Sequence, residues 1–226
     1  SSFYFIILLH HKNKIITPAQ GKNVLFISLI LTLLFVVWGA AFPGNMDLVA
    51  GSALSFLTTY FGWLYLAAVF FILLFIIGIA FSPYGKIKLG KDNEKPEFST
   101  TAWFAMLFTT GMGIGLVFWS IAEPMYHFMS PPFGVAETAE AAELAMRYTF
   151  FHWGLHPWAV FTLVGMALAY FQFRKGMPAL ISSIFHPLLG DKIHGPIGQA
   201  IDILAVFATV FGLGTSLGLG TMQINT

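Results

Sequence analysis

Five long stretches of this 226-residue chain contain no charged residue, and they limit what the chain can fold into. The stretches are 24, 38, 25, 26 and 24 residues long and cover residues 23–46, 48–85, 98–122, 148–173 and 203–226. A helix needs about 20 apolar residues to cross the hydrocarbon core of a bilayer. Each stretch can therefore hold one membrane-spanning helix, and we predict an all-α polytopic membrane protein with about five spans.

The composition of the chain excludes most classes of soluble protein. Charged residues make up only 9% of the chain and hydrophobic residues 57%, whereas a soluble domain has about 25% charged residues. A soluble enzyme, a nucleic-acid-binding protein and a disordered chain are therefore excluded. The chain has no cysteine, which excludes disulfides and cysteine-ligated metal or iron–sulfur sites.

The chain divides into a cytoplasmic amino-terminal segment, residues 1–22, and a membrane domain, residues 23–226. The predicted spans are about 23–42, 62–82, 100–123, 148–173 and 200–226. Residues 46–60 are mildly amphipathic and are predicted to lie on the outer surface before the second span. Because the sequence stops within an apolar helix, we interpret the chain as the amino-terminal part of a larger protein.

The basic residues indicate the orientation of the chain. Ten of the eleven lie before the first span, after the second or after the fourth, and Arg147 is the exception. Connections rich in lysine and arginine stay in the cytoplasm. The amino terminus and the connections at 84–98 and 174–196 are therefore predicted to be cytoplasmic.

The third span carries Gly111, Gly113 and Gly115 near its middle. Gly111 and Gly115 form a GxxxG pair, which is typical of close helix packing. Alternating glycines also weaken the helix, and unwound backbone inside a membrane is tolerated where it lines a cavity. Both interpretations remain open. The dipeptide Glu123-Pro124 is predicted to end this span, with a carboxylate that serves either the structure or an ion.

The fourth span contains an aromatic cluster beside a proline. On a continuous helix, Trp153, Phe161 and Trp158 fall on one arc, and Pro157 is predicted to bend the helix between the two tryptophans. Such rings are found in interfacial belts, but they also bind desolvated organic cations. His152 and His156 have metal-ligand spacing without a third ligand, so hydrogen bonds to neighbouring helices are the alternative.

Three segments in this order resemble the betaine/carnitine/choline transporter family: GMGIGLVFWSIAEP at 111–124, FHWGLHPW at 151–158 and ATVFGLGTSLGLGTMQIN at 208–225. The resemblance runs from about Asn23 to the last residue. It implies a LeuT-type inverted-repeat transporter fold, of which the chain would hold two leading helices and three helices of the first repeat. It also implies a secondary transporter of the bacterial inner membrane, not an enzyme, with no cofactor.

The resemblance assigns a substrate site to the third and fourth spans. Trp153 and Trp158 match two walls of the family's aromatic box, and Phe161 stands where the family often has tyrosine. The unwound segment close to the substrate would consist of Gly111, Met112, Gly113, Ile114 and Gly115.

The same resemblance implies the coupling ion. Carbonyl groups of Thr109 and Met112 match one family sodium site, and Thr209 matches the first threonine of a second site, although Leu213 replaces the second threonine. Gly115 resembles the sodium-coupled betaine carriers, whereas proton-coupled choline carriers tend to have aspartate there. We therefore expect sodium symport of glycine betaine by a protein whose partners are the substrate, sodium and the bilayer, assembled as a homotrimer, without nucleic acid.

Two alternatives remain open at this point. Within transport, the protein could carry choline or carnitine by proton symport or exchange. Outside transport, a membrane scaffold that uses GxxxG contacts would also contain apolar helices and glycine pairs. Loss of uptake on replacing Trp153 or Trp158 by leucine separates a carrier from a scaffold.

Overall fold

The structure, a computed structural model, describes residues 18–111 and 113–224, and it leaves out the side chains of residues 18–20, 110 and 114. Helices dominate these ranges, and no strand occurs among the described residues, which confirms the all-α prediction. The α-helices are α1 (Pro18–Ala41), α2 (Pro43–Phe81), α3 (Thr100–Gly111), α4 (Ile114–Met129), α5 (Ala139–Trp153), α6 (Leu155–Ala169), α7 (Ile181–Ile184), α8 (His186–Leu189) and α9 (Pro196–Ile224).

Short helical turns of other types join some of these helices. Two 3₁₀ turns follow α2 and α8, at Pro83–Lys86 and Gly190–His194, and a π-helical turn at Tyr170–Arg174 continues α6. Most of the predicted amino-terminal segment, residues 1–17, lies outside the described residues.

Four helical stretches of the described chain are long and apolar enough to cross a membrane: Gly21–Ala41, Pro43–Phe81, Ala139–Arg174 and Pro196–Ile224. The third predicted span, 100–123, is not a single helix, because α3 ends at Gly111 and α4 begins at Ile114. Its two halves have 12 and 16 residues, so neither reaches the length of about 20 residues that one crossing needs.

Helix α2 is longer than a bilayer crossing requires. Its 39 residues extend over roughly 58 Å at 1.5 Å per residue, about twice the thickness of the hydrocarbon core. We predicted a surface segment at 46–60 followed by a separate span, whereas the structure has one uninterrupted helix. No proline follows Pro43 within α2, so nothing in the sequence breaks the backbone hydrogen bonding between the two parts.

The described chain separates into two compact units, and the first contains residues 18–92 and 162–210. Within it, α1 contacts α9 through the edge-to-face rings of Phe35 and Phe207, whose centroids are 6.0 Å apart. Asp202, near the start of α9, is buried and accepts hydrogen bonds from the backbone N–H and the hydroxyl of Ser182, at 2.9 and 2.8 Å. These two bonds attach the short helix α7 to α9.

Arg174 joins two loops of the first unit. Its Nη1 donates to the carbonyl oxygens of Lys88 and Gly90 at 3.0 and 3.1 Å, and to Oδ1 of Asp92 at 2.9 Å. The loop that follows α2 and the end of α6 therefore lie together. This contact agrees with the placement of both basic connections on one side of the membrane; which side that is stays a prediction.

The second unit contains residues 93–161 and 211–224. In it α4 packs along α5, whose Ala141 and Ala145 are buried. Small side chains allow two helices to approach closely. Helix α5 begins at a defined place because Oγ1 of Thr138 accepts a hydrogen bond from the N–H of Ala141 at 3.1 Å, which is an N-cap.

Candidate functional site

The break between α3 and α4 lies within the glycine segment of the third predicted span. Gly113 has an extended backbone, with φ −84° and ψ 174°, and its carbonyl oxygen accepts from the N–H groups of Leu116 and Val117 at 3.0 and 3.3 Å. Gly113 therefore caps α4 through its backbone. Unwinding, one of the two interpretations of this segment, is present in the structure. Met112 lies outside the described residues.

The two helix ends at this break present opposite partial charges. The last four carbonyl groups of a helix lack an intrahelical donor, and the first four N–H groups lack an intrahelical acceptor. Because α3 ends at Gly111, the carbonyl of Thr109 belongs to the first set, and the N–H groups of Ile114 and Gly115 belong to the second. The carbonyl end of α3 therefore attracts a cation, and the N–H end of α4 attracts an anion. The break can thus serve both kinds of ion without a charged side chain.

The indole of Trp158 lies against the end of α3. A Cβ atom built on Gly111 would be only 2.9 Å from Cη2 of Trp158, so the ring occupies the space that any larger residue would need. The ring of Phe161 lies next to that of Trp158, with a centroid distance of 5.9 Å and a tilt of 39°. The structure therefore brings three of the predicted site residues together: Gly111, Trp158 and Phe161.

The fourth predicted span is broken between its two tryptophans. Helix α5 ends at Trp153, Gly154 is not helical, and α6 begins at Leu155. We predicted a bend at Pro157, and the structure has a one-residue interruption at Gly154, three residues earlier, with Pro157 in the first turn of α6. A Cβ atom at Gly154 would be 2.6 Å from the carbonyl oxygen of Phe150. Glycine therefore permits the close approach of backbone that this break requires.

Trp153 differs in position from the other two aromatic residues of the predicted box. It ends α5, whereas Trp158 and Phe161 belong to α6, so the single arc expected on a continuous helix does not describe it. Its Nε1 donates to Oε2 of Glu123 at 2.6 Å. Its carbonyl oxygen accepts from Nε1 of Trp158 at 3.2 Å. The two tryptophans are thus connected through backbone and indole groups.

Glu123 is a member of this site that the sequence did not identify. It is only 6% exposed, and its Oε1 lies 2.7 Å from Nδ1 of His152 and 3.6 Å from Nε2 of His127. The prediction that Glu123-Pro124 ends the span is wrong, since α4 continues through Pro124 to Met129. One signal was available: a carboxylate in an apolar membrane segment is costly without partners. The sequence alone does not say which residues those partners are.

The two histidines of α5 and α6 have ordinary partners. His152 pairs with Glu123, and the ring of His156 lies against Phe151 with centroids 4.8 Å apart. The described residues include no group of three histidine or acidic side chains that could hold a metal ion. The hydrogen-bonding interpretation thus describes His152, and the metal interpretation of the His152–His156 spacing gains no third ligand.

The hydroxyl groups of the predicted sodium ligands face their own helices. Oγ1 of Thr109 donates to the carbonyl of Ala105, and Oγ1 of Thr209 donates to that of Ala205, each at 2.8 Å. Thr109 lies in the second unit and Thr209 in the first. Their roles as sodium ligands stay predictions.

Comparisons with known proteins agree with the resemblance noted in the sequence. The family model of the betaine/carnitine/choline family transporters matches residues 23–226. The chain is 64% identical over 207 residues to the "Probable glycine betaine transporter" of Desulfitobacterium hafniense (strain Y51), covering 92% of this chain and 42% of that protein. It is 55% identical to the "Glycine betaine transporter OpuD" of Bacillus subtilis (strain 168), covering 90% and 40%. It is 45% identical to the "High-affinity choline transport protein" of Escherichia coli (strain K12), covering 89% and 30%.

These matches extend over almost the whole chain but over less than half of each relative. The relatives are transporters, in agreement with the prediction that the protein is not an enzyme. Together with the apolar helices, they indicate a multi-pass membrane protein. The chain belongs to the betaine/carnitine/choline transporter family.

Proposed function

We propose that the full-length protein takes up a quaternary ammonium compound, glycine betaine first, by sodium symport. The observation that carries the proposal is the position of Trp158, whose indole lies on Gly111 at the broken α3–α4 helix. An aromatic face at an unwound membrane helix combines the two features that a small zwitterion needs. The aromatic face binds the cationic group of the zwitterion, and the unwound helix binds its carboxylate.

The aromatic side of the proposed site binds the trimethylammonium group. That group cannot donate a hydrogen bond, so the faces of electron-rich rings are the groups that attract it best, by about 2 kcal/mol or more once water is excluded. The neighbouring rings of Trp158 and Phe161 supply such faces. Phe161 in place of tyrosine retains the ring face, so it does not weaken this part of the proposal.

The helix break binds the carboxylate. Its negative charge is stabilised by the first N–H groups of α4, the helix that begins at Ile114 after the extended Gly113. The distance between the two charges of betaine is short, so both binding groups must be close to one another. Gly111 lies two residues before Gly113 and touches Trp158, which places the aromatic face beside the helix break.

Sodium is the proposed coupling ion because the break offers oxygen ligands without a fixed charge. The carbonyl of Thr109 lies in the last turn of α3, where helix carbonyls lack an intrahelical donor. The described part of α3 and α4 contains one acidic residue, Glu123, and it pairs with Trp153 and His152. A proton carrier of the kind expected at Gly115 in choline transporters is therefore missing from this position.

A second candidate function is transport of choline or carnitine, by proton symport or exchange. The 45% identity to a choline transport protein supports this second candidate. Choline lacks a carboxylate, so it would use the aromatic faces without the α4 N–H groups. Competition by choline against betaine measures how much the carboxylate contributes to binding.

The test is uptake of radiolabelled glycine betaine by the full-length protein in proteoliposomes, with sodium and proton gradients imposed separately. We expect uptake to need sodium on the outside and to be unaffected by a proton gradient alone. Gly115→Asp supplies a carboxylate that can carry a proton within the low-dielectric segment. That variant should shift the dependence from sodium toward pH and should improve choline relative to betaine.

Equal uptake of betaine by the parent protein with no sodium on either side would contradict sodium coupling and favour exchange. No uptake of any quaternary ammonium compound by a well-inserted protein would contradict transport itself and favour the scaffold. Assembly as a homotrimer also stays a prediction, which the mass of the detergent-solubilised protein tests.

A further inference from the structure

We infer that Glu123 is a positioning residue for substrate binding, acting through the indole of Trp153. This inference rests on the proposed function, because it concerns the affinity of the same site. Glu123 is buried, belongs to α4, and faces the end of α5, where it contacts two consecutive residues. Its contacts therefore join the helix that follows the first break to the helix that precedes the second.

Both oxygens of the Glu123 carboxylate have a hydrogen-bond partner. Oε2 accepts from Nε1 of Trp153 at 2.6 Å, and Oε1 is hydrogen-bonded to Nδ1 of His152 at 2.7 Å. The indole plane of Trp153 is thus held at its nitrogen end.

The position of Trp153 affects the substrate site through its backbone. Trp153 is the last residue of α5, and its carbonyl oxygen accepts from Nε1 of Trp158, the residue whose indole lies on Gly111. A shift of Trp153 therefore moves the acceptor that orients Trp158. Through this chain of contacts, Glu123 determines where two aromatic rings of the site stand without touching the substrate.

His127 is a weaker candidate for the same role. Its Nε2 is 3.6 Å from Oε1 of Glu123, beyond hydrogen-bond distance, and its ring lies next to Tyr148 with centroids 5.6 Å apart. Its removal should therefore leave Trp153 in place.

The experiment measures KM and Vmax for glycine betaine uptake in the full-length protein and in four variants: Glu123→Ala, Glu123→Gln, Trp153→Phe and the double variant Glu123→Ala/Trp153→Phe. Glu123→Ala removes the buried acceptor and should raise KM about tenfold. Its Vmax per inserted protein should stay within about twofold of the parent value. Trp153→Phe removes the Nε1 donor and should raise KM by a similar factor. The double variant should be no worse than either single variant, because both changes break the same contact.

Glu123→Gln should retain most of the affinity. The glutamine oxygen can accept from Trp153, and its amide can donate to Nδ1 of His152 once that imidazole carries its hydrogen on Nε2. A residue that only supports folding would instead lower Vmax through the amount of functional protein, with KM unchanged. Glu143→Ala, at an exposed carboxylate of α5, is the matched control and should change neither constant.

Independent, multiplicative effects of Glu123→Ala and Trp153→Phe on KM would overturn the inference, as would an unchanged KM in Glu123→Ala. If the Glu123→Ala variant fails to insert into the membrane, Glu123→Asp replaces it in the comparison with Trp153→Phe. Its side chain is one methylene shorter, so KM should rise by less, and the double variant Glu123→Asp/Trp153→Phe should be no worse than Trp153→Phe alone. Absence of betaine uptake by the parent protein would instead contradict the proposed function, which distinguishes the two failures.

Discussion

The indole Nε1 of Trp158 donates to the carbonyl oxygen of Trp153 at 3.2 Å, across the break between α5 and α6. In a continuous helix this carbonyl would accept from the residue four positions later, which is Pro157 and has no N–H. The proline therefore frees the acceptor, and the next residue along the chain uses it. This exchange of a backbone donor for an indole donor fixes Trp158 relative to the break.

Replacing Pro157 by alanine should weaken substrate binding. The restored N–H can donate to the Trp153 carbonyl, which favours a continuous helix and displaces the Nε1 group of Trp158. We expect the betaine Kd to rise by roughly threefold to tenfold, since a net hydrogen bond is worth about 1 kcal/mol. Equilibrium binding to purified full-length protein measures this change. An unchanged Kd in the alanine variant would show that the indole bond does not orient Trp158.

Replacing Gly111 by alanine should also weaken binding, for a steric reason. The new Cβ would stand 2.9 Å from Cη2 of Trp158, so the indole must move away from the end of α3. We expect a rise in Kd of about fivefold to a hundredfold, since overpacking costs about 1–3 kcal/mol. Gly165→Ala is the control, because a Cβ there meets no atom within 4 Å. Equal effects of the two variants would contradict the contact.

Much of the architecture could be predicted from uncharged stretches alone. The glycines at 111, 113 and 115 offered unwinding of the third span as one of two interpretations, and Pro157 predicted a bend in the fourth, which the structure interrupts at Gly154. The exact position of that second break could not be predicted. At Gly154 the backbone closely approaches the carbonyl oxygen of Phe150, four residues earlier, and the sequence shows only that glycine permits such an approach, not that the helix is interrupted there.

The partners of Glu123 also could not be predicted. The carboxylate is 29 and 30 residues away from His152 and Trp153 along the chain, so their contact depends on how α4 packs along α5. The proline after Glu123 suggested a helix end, but a proline inside a membrane helix is tolerated where neighbouring groups satisfy the freed backbone. Local signals therefore gave the wrong boundary for α4.

Replacing either tryptophan by leucine should lower the affinity for betaine. Loss of the ring face from Trp158 removes about 1–2 kcal/mol of cation–π attraction, which is roughly fivefold to thirtyfold in Kd. Trp153→Leu should have an effect in the same range. Trp103→Leu, a large exposed residue near the start of α3, is the matched control. If the control weakens binding as much, or if both site variants bind normally, the tryptophans serve packing only.

The orientation of the chain is testable with introduced cysteines, since these 226 residues contain none. Lys91 lies in the loop after α2 and Glu140 in the first turn of α5. Both are exposed, and the distribution of basic residues assigns them to opposite sides of the membrane. In intact cells, an impermeant thiol reagent should label Glu140→Cys and spare Lys91→Cys until the membrane is permeabilised. Labelling of Lys91→Cys alone would reverse the orientation, and labelling of both from outside would contradict the topology.

The most direct test of the account compares glycine betaine with tert-butylacetate, its uncharged-headgroup isostere, as competitors for radiolabelled betaine binding to the full-length protein. The two molecules share shape and carboxylate and differ in the positive charge that the rings of Trp158 and Phe161 would attract. We predict that betaine competes at least about thirtyfold more strongly, as expected for about 2 kcal/mol of desolvated cation–π attraction. Equal competition by the two molecules would contradict the aromatic site as the feature that selects the substrate.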